Sequence, residues 1–169
     1  MKTEYRQRLP HIQPVGAAFF VTFRLFGSLP KRDILNLKEK YENKINKIKI
    51  QKFDTHQKNL KIFTLRKQYL VEYDKLLDNI KSGPMHLVDS NIKEILQQQL
   101  QRFENELYTL ICYCIMSNHV HILIDTSIQL SEISDDNQIV MNYKQLDVIM
   151  KNIKGPSAWY ANKYLNKSG

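Results

Sequence analysis

The chain has 169 residues, 43% of them apolar, and carries 25 Lys and Arg against 17 Asp and Glu, a net charge of +8. That length suits a single domain spanning 1–169 around one hydrophobic core. No charged-then-apolar leader opens it and no apolar run is long enough to cross a bilayer, so no membrane role is expected and the protein reads as cytoplasmic. The positive excess favours a polyanionic partner such as nucleic acid, although much of the lysine lies in a helical stretch where a solvated face explains it equally well.

In chain order, "AAFFVTFRLF" at 17–26 is rich in Phe, Val and Thr and is followed by "GSLP", which predicts a strand. Alternation puts Phe20, Thr22, Arg24 and Phe26 on one side of it and Phe19, Val21, Phe23 and Leu25 on the other. Arg24 is the odd member: it is either a rim charge or a group that meets phosphate on an open sheet face. Ile34, Leu37, Tyr41, Ile45 and Ile48 then recur at helical steps, and Leu60, Phe63, Tyr69, Tyr73, Leu76 and Ile80 do so again. These two helices form an insertion over about 31–82, ended by Gly83 and Pro84. Asp89 or Ser90 caps a third helix running from Ile92 towards Leu107.

"YTLICYCIM" (108–116) and "HVHILI" (119–124) follow as two strands, and the two-residue link Ser117-Asn118 makes them an antiparallel hairpin. Cys112 and Cys114 share one strand and one face, which is poor geometry for a mutual disulfide; they read as reduced, buried small hydrophobes. Residues 125–143 are polar and read as a loop. Leu146, Ile149, Met150 and Ile153 begin a last helix, which Gly155-Pro156 is expected to kink or divide. The order strand, helices, strand, strand, helix is that of an α+β, ferredoxin-like antiparallel sheet with helices on one face, a helical hairpin added after the first strand and the last strand missing.

His119 and His121 fall on the same face of their strand with Cα atoms about 6.5 Å apart, so both imidazoles reach one ion. Val120 and Ile122 point the other way. A single histidine on such a strand commonly packs; two on one face suit a ligand pair. The three-histidine pattern of nucleotide hydrolases is not met, because Leu123 occupies the third place.

"ICYCIMSNHVHILI" is similar to the histidine-hydrophobic-histidine motif of the HUH endonuclease superfamily, in particular the single-tyrosine transposases of the insertion-sequence-200-like and REP-associated kind. "YRQRLPHIQPVGAAFFVTFRLFGSLP", "SGPMHLVDSNI" and "IMKNIKGPSAWYANKYLNKSG" agree in order and approximate spacing. The resemblance implies a DNA transposase or single-stranded DNA endonuclease. It would cleave and rejoin hairpin-containing single strands through a 5′-phosphotyrosine, with a divalent metal, Mg or Mn, held by His119 and His121. In that family the nucleophilic tyrosine lies beyond the block ending here as "NKSG", so it is expected beyond Gly169, and no residue of this chain is assigned as catalytic. Tyr160 and Tyr164, one turn apart, are the substitutes to weigh against ordinary packing. Whether the chain is an enzyme is thereby left open, the alternative being a non-catalytic hairpin or single-stranded DNA-binding protein, decayed or domesticated.

For DNA contact the expectations are Arg6, Arg8 and His11 in a basic amino-terminal arm, together with Arg24, Asn118, Lys151 and Lys154. Asn118 abuts the histidine pair and is also a candidate to orient one of its ligands, set against a plain explanation, the tolerance of Asn for left-handed backbone in a tight turn. Two-subunit sites among superfamily relatives leave a homodimer open.

Overall fold

The computed structural model describes residues 4–7, 9–80, 82–130 and 142–167, with backbone alone for 4–7 and 9–12. Most of the loop expected at 125–143 lies outside the described residues. Two compact units emerge, one of Arg24–Met85 and one of the residues on either side of it.

The second of these is α+β, and its sheet is built as the period-2 patterns foretell. Strands β1 (Glu4–Gln7) and β2 (Leu9–Ile12) form an antiparallel ribbon with Tyr5 opposite His11 and Arg6 opposite Pro10. Strand β3 (Ala18–Arg24), β4 (Thr109–Ile115) and β5 (His119–Asp125) form a three-stranded antiparallel sheet with β5 in the centre. The Ser117-Asn118 hairpin is present, closed by the Met116 N–H donating to the His119 carbonyl at 2.9 Å. A bulge at Ile111 shifts the β4–β5 register, after which Cys112 pairs with Leu123, Cys114 with His121 and Ile115 with Val120.

One face of this sheet is covered by helices. Val120, Ile122 and Ile124 are almost wholly buried there, each contributing about 1.5–3 kcal/mol of hydrophobic transfer. Helix α3 (Ser90–Gln101) lies on that face: its Gln97 amide donates to the Tyr113 hydroxyl, and Tyr113 pairs with Ile122. Asp89 is its N-cap, accepting from the Asn91 and Ile92 N–H groups. Helix α4 (Leu146–Tyr164) packs against α3 and buries Ile149 and Ile153, and its Lys154 ammonium lies 5.9 Å from the centre of the Phe23 ring.

Three details depart from the sequence reading. Helix α3 ends at Gln101 instead of running to Leu107, because the chain turns through Asn105 at φ 64° and brings Tyr108 into the core, where its hydroxyl donates to the Leu100 carbonyl at 2.6 Å. Helix α4 is one continuous helix through Gly155-Pro156. Proline removes one helical N–H, and the helix runs on past it with one hydrogen bond fewer. Both cysteines are free and exposed instead of buried, because their shared face is the one opposite the helices.

At one end of the sheet, buried Thr126 donates to the Ala17 carbonyl and bonds the Tyr143 hydroxyl at 2.8 Å, and the Gly16 N–H donates to the same hydroxyl. Gly16 has φ +69°, the left-handed region that favours glycine, and a Cβ there would displace the Leu130 side chain.

The unit Arg24–Met85 contains the expected insertion. Helices α1 (Lys31–Ile50) and α2 (Thr55–Asn79) pack as a hairpin through Tyr41 on Tyr69, ring centres 4.8 Å apart, and through Lys40 with Glu72 at 3.6 Å. Asp54 caps α2 by accepting from the Gln57 N–H. Among the described residues no helix is long and apolar enough to cross a membrane.

Candidate metal and nucleic-acid site

The sheet face opposite α3 and α4 carries the two histidines. Strand periodicity points His119 and His121 the same way, and their Nε2 atoms converge to 3.0 Å with the rings edge to face. His119 is fully buried, while His121 is half-buried.

Each imidazole is held from its far side. Asn118, itself 1% exposed, places Oδ1 2.6 Å from His119 Nδ1. A carbonyl oxygen only accepts, so His119 carries its proton on Nδ1 and keeps the Nε2 lone pair. On β3, Thr22 Oγ1 lies 2.8 Å from His121 Nδ1, and Phe20 stacks on the His121 ring at 5.5 Å and 15°. Without a metal, a consistent proton chain runs from the Thr22 hydroxyl to His121 Nδ1, from His121 Nε2–H to His119 Nε2, and from His119 Nδ1–H to Asn118. A single tautomer change at His121, with Thr22 then accepting from Nδ1–H, leaves both Nε2 lone pairs free of protons, 3.0 Å apart.

Of the ligands that a divalent ion takes, this donor set could supply two. Two ligands about 2.1 Å from one ion and at right angles are about 3.0 Å apart, the spacing observed between the two Nε2 atoms. The distal partners on Nδ1 are the kind that fix ring orientation at histidine metal sites. The chain supplies two such ligands: among the described residues no group of three or more His, Cys, Asp and Glu side chains converges on an ion position. Cys114 pairs directly across from His121, but its thiol is directed to Met116 Sδ at 3.5 Å.

The remaining sequence candidates are dispersed. Asn118 has no left-handed backbone, the positive-φ non-glycine residues described being Asn105 and Asn166, so the turn explanation gives way to its buried contact with His119. Arg24 donates from Nε to the Tyr73 hydroxyl at 3.0 Å and from Nη1 to Ser28 and the Leu25 carbonyl, all within the helical-hairpin unit. Lys151 and Lys154 are exposed on α4, which covers the face opposite the imidazoles. Tyr164 exchanges hydrogen bonds with Asn91 at 2.8 Å and Asp89 at 3.4 Å beside the start of α3, and Tyr160 meets Trp159 edge to face. Arg8 and the side chains of Arg6 and His11 lie outside the described residues. Thr22 and Phe20 escaped the sequence reading as site residues, although their alternation with Arg24 on one face was the signal that could have found them.

Comparison of the chain with protein-family models, curated proteins and solved structures found no match.

Proposed function

We propose that this chain is a DNA-processing domain of the HUH single-tyrosine transposase kind, acting on hairpin-containing single-stranded DNA. The observation that carries the reading is the convergence of the His119 and His121 Nε2 atoms to 3.0 Å on the sheet face opposite α3 and α4, each ring hydrogen-bonded at its far nitrogen. The strand–helix–strand–strand–helix order, with α3 and α4 on the other face, supports a ferredoxin-like frame for it.

His119 and His121 would hold manganese or magnesium, and such an ion supplies the Lewis acidity that neutralises charge developing on a scissile phosphate. Asn118 keeps the His119 lone pair on Nε2, and Thr22 sets the His121 ring. Phe20, 64% exposed beside His121, offers an apolar surface for an unpaired base. In the family resembled, a tyrosine attacks the phosphate to leave a 5′-phosphotyrosine and a free 3′-hydroxyl.

The engagement of Tyr164 with Asn91 and Asp89 favours a second reading, a protein that binds folded single strands without cutting them. Binding of a hairpin oligonucleotide, measured with and without manganese, separates the two. Metal-assisted processing requires tighter binding with manganese and loss of that gain in the His119→Ala, His121→Ala double variant. Equal binding in every condition would leave the binding-only reading, and no binding would remove both.

A further inference from the structure

The outer face of α4 has a composition that its packing does not require. Ile149 and Ile153 are wholly buried on its inner side, yet Trp159 is 58% exposed on the outer one. Lys151, Gly155, Trp159 and Lys163 follow at steps of four, with Lys154 and Ala158 alongside, and all six are exposed. The helix contains one acidic residue, Asp147 in its first turn, so the stripe beyond it is purely cationic. A Cβ built on Gly155 would meet nothing within 4 Å, which leaves a low, open strip between the two lysines at one end and the indole at the other.

The indole is held in a fixed attitude. Tyr160 meets it edge to face at 4.7 Å and 82°, and the Lys163 ammonium lies 5.3 Å from its centre. A large aromatic plane that is exposed and flanked by cations with no acidic partner among the described residues suits a ligand with a polyanionic backbone and flat, unpaired rings.

We propose that this face of α4 is a stacking platform for single-stranded nucleic acid, with Trp159 taking a base and Lys151 and Lys163 meeting phosphates on either side of it. The inference rests on the reading of the ligand as single-stranded DNA and adds a contact surface on the side of the sheet away from the imidazole pair. A strand engaged at both surfaces passes around a sheet edge, so the two contacts fail independently.

Trp159 is the single tryptophan of the chain, so its fluorescence reports on this surface alone. Oligothymidylate is titrated in EDTA, which silences any metal-dependent contact, and affinity is followed separately by anisotropy of a labelled oligonucleotide. Quenching that saturates with binding is expected, and it persists in the His119→Ala, His121→Ala variant. Trp159→Ala should weaken binding about five- to 100-fold, with Trp159→Phe staying within a few-fold of the parent. Lys163→Ala should lower the slope of log affinity against log salt by about 0.7, one phosphate contact on a single strand. Equal quenching by heparin or by anionic phosphatidylserine vesicles would overturn base stacking. So would oligonucleotide binding that leaves the fluorescence and the Trp159→Ala affinity unchanged, an outcome under which the imidazole site retains its reading; absence of any oligonucleotide binding would overturn both.

Discussion

Removing the Asn118 side chain tests whether the histidine pair is held by design of the hairpin or arises from strand spacing alone. Asn118 and His119 are 1% and 0% exposed, and the contact between them is 2.6 Å. Alanine deletes the acceptor facing a buried ring N–H, which costs about 1–3 kcal/mol. For a chain of this size that is about 2–4 °C in Tm for each kcal/mol. The backbone of Asn118 is not left-handed, so alanine brings no φ penalty of its own. The assay is thermal and urea unfolding of Asn118→Ala, His119→Ala and the double variant. Acting through the imidazole, Asn118 should show a coupling energy of about 1 kcal/mol or more with His119. Manganese affinity in the single Asn118→Ala variant should fall about 10- to 100-fold as His119 loses its tautomer. Strict additivity of the two substitutions, with unchanged metal affinity, would refute the argument.

Thr22→Val removes the hydroxyl from His121 Nδ1 while keeping the shape, and should lower manganese affinity about tenfold with little change in stability, as calorimetry and urea titration would show. Burial, reinforced by Glu104, pushes the Tyr108 phenol up to about 12. The fold favours the neutral phenol, so this stability is complete below about pH 10, the unfolded value, and is lost as pH rises from there towards 12. In urea unfolding at pH 9 and 11.5, Tyr108→Phe should begin lower, having lost the bond to Leu100, and should lack this part of the decline. Gly155→Ala enters open space inside a helix and should stabilise by about 0.5–1 kcal/mol, read as a raised urea midpoint.

The histidine pair was legible because strand periodicity is rigid: residues two apart share a face whatever the rest of the fold does. The hairpin followed from its two-residue link, and the cap at Asp89 from residue type and position. What the sequence concealed depends on cover and competition. Cys112 and Cys114 sit in an apolar run that looks buried from both sides, and nothing in the run says which face the helices take. Asn118 had two readings, a group orienting a ligand of the pair and a turn residue, and only placement of the His119 ring separates them. Pro156 signals a break, yet α4 continues through it with one hydrogen bond fewer. Helix α3 carries an apolar pattern to Leu107, but burying Tyr108 makes the chain leave the helix six residues earlier.

The central claim is that the imidazoles of His119 and His121 form one metal half-site that works with folded single-stranded DNA. Calorimetric titration of manganese into the chain and into the His119→Ala, His121→Ala double variant, each with and without a hairpin oligonucleotide, tests it most directly. Binding that requires both histidines and tightens with the hairpin present is the predicted result. Manganese binding that is absent from the parent chain in both conditions, or that survives loss of both imidazoles, would contradict it.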